Sequence, residues 1–306
     1  MRKILLIVNP RAGKMKAKSA LFEVVQVFCE NGLDVSVVVT SYAGHATEIA
    51  ENLDGRFDII ACAGGDGTLN EVIAGVLKGG KKVPIGYIPC GSTNDFASTI
   101  GLSKDLGKAA LDLATGKEVG FDIGHFGNRY FSYVASFGAF TKASYSAPQG
   151  MKNVLGHAAY ILEGIKDIPS IKSEHVKVET DNGRVYENDY IFGAITNTTS
   201  VGGILTLDKT LVTLNDGKFE MLLVKKPKNI ADLTRCISAL LSQKTDCDMF
   251  DFCELSKAKI TTDGPLAWSL DGEKADSDVD VTLENLHTAV KVILPEKAAE
   301  DALFNE

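Results

Sequence analysis

Three glycines flank an acidic residue directly after an apolar run in Ala61-Cys62-Ala63-Gly64-Gly65-Asp66-Gly67-Thr68-Leu69-Asn70-Glu71. Glycines there let the backbone turn tightly and approach a ligand. A helix capped by Thr68 and running through Val72, Val76 and Leu77 would offer free N–H groups and a positive dipole end, both suited to phosphate. Asp66 repels phosphate unless a cation lies between them, so an acid inside this loop points to Mg²⁺. Taken alone, the stretch reads equally well as a glycine-rich strand-to-helix turn with a capping Asp. A second acidic feature is Trp268-Ser269-Leu270-Asp271-Gly272-Glu273. Its two carboxylates would lie on the same side of an extended chain, where they suit a metal or a base taking a proton from a hydroxyl. An exposed Asp-Gly hairpin tip is the plain alternative. Around Thr213-Leu214-Asn215-Asp216-Gly217-Lys218, side-chain and carbonyl oxygens of a tight turn suit a hard cation, with a simple hairpin as the other reading. The histidines (45, 125, 157, 175 and 287) are scattered, which argues against a histidine metal site or a serine triad, and His45 is expected to make a local hydrogen bond.

These residues need elements to place them. Residues 3–9 form a near-continuous apolar strand that ends in Asn9-Pro10-Arg11-Ala12-Gly13-Lys14. A helix follows with Leu21, Val24, Val25 and Phe28 on one face, stopping near Asn31-Gly32. A second buried strand over 35–40 leads into Thr40-Ser41-Tyr42-Ala43-Gly44-His45-Ala46 and another helix. The third strand carries the acidic glycine loop, and a fourth over 84–88 ends in Pro89-Cys90-Gly91-Ser92-Thr93-Asn94-Asp95. Alternating strands and helices imply right-handed crossovers and a parallel sheet, so all four loops fall at its carboxyl edge, where open α/β sheets bind ligands. Arg11, Lys14, Lys16 and Lys18 are available to neutralise phosphate.

After a helix over 106–115 the pattern changes to short alternating strands. Phe126-Gly127-Asn128, Asp181-Asn182-Gly183 and Asn215-Asp216-Gly217 are hairpin signals. Two helices interrupt them, one marked by Val154, Ala158, Ile161 and Ile165, the other by Ile230, Leu233, Ile237 and Leu241. With 306 residues the chain exceeds one ordinary core. The expected domains are 1–125 (parallel α/β, nucleotide-binding), 126–295 (mostly antiparallel, β-rich) and a tail over 296–306 that packs on the first. A net charge of -8 disfavours generic nucleic-acid binding and strong adsorption to an anionic membrane. Six cysteines without Cys-x-x-Cys spacing predict reduced thiols and no zinc site. Without a signal-peptide pattern or a membrane-spanning run, the chain reads as cytoplasmic.

The ordered set Asn9-Pro10-x-x-Gly13-Lys14, Thr40 with Gly44-His45-Ala46, Gly64-Gly65-Asp66-Gly67-Thr68 with Asn70-Glu71, Gly91-Ser92-Thr93-Asn94-Asp95, Asp216-Gly217 and Leu270-Asp271-Gly272-Glu273 resembles the bacterial soluble lipid kinases of the diacylglycerol kinase catalytic-domain family. The likeness spans essentially the whole chain. The acidic glycine motif alone is shared with NAD kinases and phosphofructokinases; the later motifs are more specific. The resemblance implies the NAD kinase/diacylglycerol kinase-like two-domain fold, with the active site in the cleft between an α/β domain and a β-rich lid. It implies ATP over Asn9, Pro10, Arg11, Ala12, Gly13, Lys14, Thr40, Gly64, Gly65, Asp66, Gly67, Thr68, Asn70, Glu71 and Thr93. It further implies a Mg²⁺-dependent acidic network with Asp66 and Asp95, Glu273 as base with Asp271 beside it, and a structural Mg²⁺ at Thr213, Asp216 and the carbonyl of Lys218. Arg11-Ala12 stands where the family often has small hydroxyl residues, and Thr210 and Val212 replace a common Pro and Ala.

The implied reaction is ATP- and Mg²⁺-dependent phosphorylation of a lipid hydroxyl, diacylglycerol to phosphatidic acid first. A sphingoid-type lipid kinase, an NAD kinase and a non-catalytic nucleotide-binding regulator are the alternatives. The partners expected are a lipid substrate and a transient membrane surface, with a homodimer left open. Phe131, Tyr133, Phe137, Phe140, Tyr145 and Tyr160 offer apolar surface for a lipid or for core.

Overall fold

The computed structural model describes residues 1–92, 94–138, 171–198, 200–201, 205–206, 212–242 and 244–300. The chain divides into two compact units, Met1–Ile123 with His287–Glu306, and Gly124–Leu286.

In the first unit, β1 (Arg2–Val8), β2 (Leu33–Val39), β3 (Ile59–Gly64) and β4 (Ile85–Pro89) pair in parallel in the order β2-β1-β3-β4. The apolar residues of β1, β3 and β4 are exposed by a few per cent or less. That full burial is why these strands read as continuous hydrophobic runs. The second strand differs from its expected burial: β2 lies at the sheet edge, and Val37 and Val39 are exposed. An apolar run alone cannot tell an edge strand from a central one.

Helices α1 (Lys16–Glu30) and α5 (Leu106–Thr115) share one core with alternate residues of β1 and β3, including Val24, Phe28, Ala110, Leu113, Ile4, Leu6 and Ala61. Helices α2 (His45–Glu51) and α3 (Asp66–Lys78) pack on each other, with Val72, Ile73 and Val76 buried. Helix α4 (Asp95–Thr99) follows β4, and Asn94 before it adopts a left-handed conformation.

Strand β5 (Lys117–Phe126) leads into the second unit, which contains β6 (Arg129–Phe131), β7 (Val134–Gly138), β8 (Glu174–Thr180), β9 (Val185–Thr196), the short pair β10 (Ser200–Val201) and β11 (Leu205–Thr206), β12 (Phe219–Lys225), β13 (Phe250–Leu255), β14 (Lys257–Thr262), β15 (Leu266–Leu270), β16 (Glu273–Ser277) and the start of β17 (Asp280–Leu294). Antiparallel pairing runs β16-β15-β7-β9-β8-β14-β17, and β12 joins β9 to β13. Trp268 packs between Phe126 and Phe137, with ring centroids 4.7 and 4.9 Å away, at the centre of this core. The Gly127 and Asn182-Gly183 signals close the β5–β6 and β8–β9 hairpins. The Asp216-Gly217 turn precedes β12, but residues 207–211 ahead of it lie outside the description.

Helix α6 (Ile230–Leu241) buries Leu233, Cys236 and Leu240, while Ile230 is 76% exposed. Ile230 therefore does not belong to the inner stripe: it is the first helical residue, after the Asn229 cap, and points away from the face set by Leu233 and Leu240. The other expected helix, around Val154 to Ile165, lies outside the described residues.

The end of β17 returns to the first unit, with Val292 opposite Ile85 of β4. Buried Asp122 accepts from the Thr288 N–H at 2.6 Å and lies 3.1 Å from His287 Nδ1, fixing a left-handed residue within that strand. Helix α7 (Glu296–Ala299) is tied to Lys117 by ion pairs to Glu296 (2.8 Å) and Glu300 (3.5 Å). No disulfide links the cysteines. No described helix is long and apolar enough to cross a membrane.

Candidate active site

The order β2-β1-β3-β4 makes the chain leave β1 and β3 in opposite directions, opening a crevice at their carboxyl ends. Asn9 closes its floor. Its N–H bonds the Ala63 carbonyl at 2.9 Å, its amide donates to Thr68 Oγ1 at 3.0 Å, and its Oδ1 accepts from the Arg11 N–H at 3.0 Å. The side chains of Asn9 and Thr68 thus tie the loop after β1 to the start of the helix after β3. Gly13 follows in a single 3₁₀ turn (Ala12–Met15) that also holds Lys14. It has φ +52°, and a Cβ there would collide with the Cys90 carbonyl oxygen.

Helix α3 starts at Asp66, two residues before the expected cap, and Gly65 is the N-cap without a side-chain bond. Thr68 lies inside the helix, and its Oγ1 accepts from Asn9 and does not cap. Glu71, one turn further, accepts from the Gly44 N–H at 2.8 Å and the Ala46 N–H at 3.1 Å, while its carbonyl accepts from Thr47 Oγ1. Glu71 therefore clamps the Thr40 loop to α3. Thr40 itself is pinned by its N–H to Val8 O, and His45 Nδ1 accepts from the Ser41 N–H.

The half-buried Asp66 meets a residue that sequence reasoning passed over. Tyr87 Oη lies 3.3 Å from Asp66 Oδ1 and 3.3 Å from Asn94 Oδ1. Burial, followed by the Asp66 charge, holds this phenol far above its ordinary range, so it stays protonated. One hydroxyl proton serves two acceptors, which leaves an oxygen-rich spot of the kind Mg²⁺ accepts. Among the described residues no group of three or more His, Cys, Asp or Glu converges, so a cation at Asp66 would keep several waters or phosphate oxygens, as Mg²⁺ commonly does. Asp95 opens α4 directly after Asn94, and Thr93 lies outside the described residues.

In the second unit, Asp271 and Glu273 do not share a side. Asp271 (φ 49°) and Gly272 (φ 84°) form the two-residue turn between β15 and β16, and left-handed conformations at both reverse the chain. The Asp271 side chain turns inward, 5% exposed, and accepts the backbone N–H groups of Ser132 (2.5 Å), Tyr133 (3.0 Å) and Val134 (3.0 Å). Glu273 is left exposed, 3.3 Å from Arg129 Nη2. Phe131 and Phe137 are core residues, so they are not free lipid-facing surface; Phe140, Tyr145 and Tyr160 lie outside the described residues.

At the Thr213–Lys218 turn the Lys218 N–H bonds Asp216 Oδ1 at 3.0 Å. The Lys218 ammonium pairs with Glu254 at 2.9 Å, which leaves its carbonyl, bonded to Asn285 Nδ2 at 3.1 Å, as its contribution to the turn. Nearby Glu220 is 2% exposed and its Oε2 has no hydrogen-bond partner among the described residues. Burial, with Asp216 and Glu254 adding repulsion, pushes its pKa up to about 9. The Asp216 carboxylate, the Thr213 hydroxyl and the Lys218 carbonyl are oxygen donors of the kind that fit a hard cation.

A model of the diacylglycerol kinase catalytic domain matches residues 3–126. A diacylglycerol kinase of Bacillus subtilis (strain 168) is 33% identical over 303 residues, 98% of this chain and 99% of the relative. This chain belongs to the diacylglycerol kinase family. A Staphylococcus aureus (strain MRSA252) member is 29% identical over 302 residues, 98% of this chain and 95% of that one. The crystal structure of a diacylglycerol kinase from Bacillus anthracis (strain Sterne) covers 96% of this chain and 97% of its own, with a TM-score of 0.73 at 22% identity, and so shares the fold. The family match takes in every loop around Asp66, whereas the Asp271–Glu273 hairpin and the Asp216 turn fall within the full-length relationship.

Proposed function

We propose that the protein transfers the γ-phosphoryl group of ATP to the free hydroxyl of diacylglycerol, giving phosphatidic acid, and does so with Mg²⁺. The observation that carries this reading is the full-length relationship at 33% identity, which spans the glycine loops and the Glu273 hairpin together. In this reading the first unit binds ATP and the second takes the lipid. Asn9 to Lys14, Thr40, residues 64–71 and Thr93 border the nucleotide. Asp66 and Asp95 belong to the Mg²⁺ network, and Thr213, Asp216 and the Lys218 carbonyl hold a structural Mg²⁺. When bound, Mg²⁺ neutralises phosphate charge.

The acceptor oxygen bonds to the γ-phosphorus as the bond from that phosphorus to the bridging oxygen of ADP breaks. ADP leaves with the electron pair, and the hydroxyl proton passes to Glu273. Asp271 supports this step from a distance, by holding the hairpin with three backbone N–H groups. Turnover takes place at a membrane surface, with the protein otherwise cytoplasmic.

Label transfer from γ-labelled ATP to diacylglycerol in detergent micelles, to sphingosine and to NAD, with and without Mg²⁺, tests the proposal. Mg²⁺-dependent label in phosphatidic acid with NAD unlabelled is expected. Label in NADP and none in the lipid phase would move the protein to the NAD kinase class.

A further inference from the structure

Arg129 opens β6 just after the left-handed Gly127 turn, and its guanidinium docks at two points on the start of β16. Nη1 donates to the Lys274 carbonyl at 2.8 Å, and Nη2 to Glu273 Oε2 at 3.3 Å. A planar guanidinium making both contacts fixes the carboxylate relative to its own backbone, which a lysine ammonium cannot do with the same geometry. Without it, Glu273 would be a half-exposed side chain with three rotatable bonds beside a hairpin turn. Its other oxygen, Oε1, has no partner among the described residues.

We propose that Arg129 is a positioning residue for the base: it holds Oε2 and thereby presents Oε1 to the acceptor hydroxyl. This rests on reading Glu273 as the base. An ion pair this exposed adds little to stability, so its effect belongs in turnover and not in folding. Orientation of a reacting group accounts for large rate factors, and a small misplacement costs up to about 100-fold.

The test is a double-mutant cycle on the full-length enzyme with diacylglycerol micelles, ATP and Mg²⁺. Glu273→Gln is measured first; a loss of roughly 100-fold in kcat is expected of a missing base, and a native rate would overturn the base reading before Arg129 is touched. Arg129→Ala should lower kcat by roughly 10-fold or more, with KM for ATP unchanged and the unfolding midpoint preserved. Arg129→Lys should recover only part of that loss. In the Glu273→Gln background, Arg129→Ala should have no further effect, because the carboxylate it serves is gone. An impaired Glu273→Gln together with a native-rate Arg129→Ala, or an equal loss from Arg129→Ala in both backgrounds, would overturn the role given to Arg129.

Discussion

The Tyr87 hydroxyl has one proton to give and two oxygens, Asp66 Oδ1 and Asn94 Oδ1, at the same 3.3 Å. Asn94 is already oriented by its Nδ2 bond to Gly91 O, so the phenol links the loops after β3 and β4 through Asp66. Removing the carboxylate and removing the phenol should therefore differ in degree. Asp66→Ala is expected to leave a folded protein with kcat reduced by about two orders of magnitude or more, the scale seen when a positioned electrostatic group is lost. Tyr87→Phe keeps the ring that packs against Phe96, at a centroid distance of 6.4 Å, but loses one hydrogen bond to a charged group. Its kcat should fall about tenfold, matching the free energy of such a bond. Steady-state kinetics over a Mg²⁺ series decide the matter. Native kinetics in Tyr87→Phe would reduce the phenol to packing.

At the scale of elements, the site depends on loops from four strands approaching backbone to backbone. Gly13 shows the constraint most directly, since its φ of +52° and its contact with the Cys90 carbonyl both exclude a side chain. Gly32, at the end of α1, shares the positive φ (+77°) but has open space around it. Gly32→Ala should cost only the left-handed strain, about 1–2 kcal/mol, and leave KM for ATP unchanged. Gly13→Ala carries the same strain and must also push the Asn9–Lys14 loop away from Cys90. A rise of roughly tenfold or more in KM for ATP is expected on top of the lowered unfolding midpoint. Equal kinetic behaviour of the two variants would show that the loop after β1 does not contact the nucleotide.

Over the whole molecule, a net charge of -8 goes with several buried carboxyl groups, and Glu220 is one whose Oε2 has no hydrogen-bond partner among the described residues. Its pKa is pushed from an ordinary 4.5 to about 9 by burial. The folded state thus holds a proton that the unfolded chain releases above about 4.5. Stability from this group is complete below the unfolded value and declines as pH rises toward 9. In chelator, Glu220→Gln should match the native protein near pH 5 and exceed it by on the order of a few kcal/mol at pH 8. Chemical denaturation at a series of pH values measures this. A gap that does not grow with pH would mean the native carboxyl is already ionised.

The architecture was legible because its signals are local. Continuous apolar runs with helices between them announced the parallel sheet, and Gly127 and Asn182-Gly183 announced hairpins, since a turn's backbone geometry restricts the residues within it. The acidic glycine loop was legible for the same reason, as were the later motifs that carried the family likeness. What the side chains do was not. The motifs that mark Glu71 and Asn9 do not show that their side chains bond backbone and hydroxyl groups of loops distant in sequence. Asp271 read as a companion to Glu273, and two left-handed residues turned it inward onto Ser132 to Val134. Tyr87 looked like one more apolar strand residue, and Arg129 carried no signal at all. By itself the sequence determined which segments become strands, helices and tight turns; tertiary structure decided which of these polar groups are held and which are exposed, because the partners of Glu71, Asp271 and Glu273 lie tens of residues or more away and only packing brings them within hydrogen-bond range.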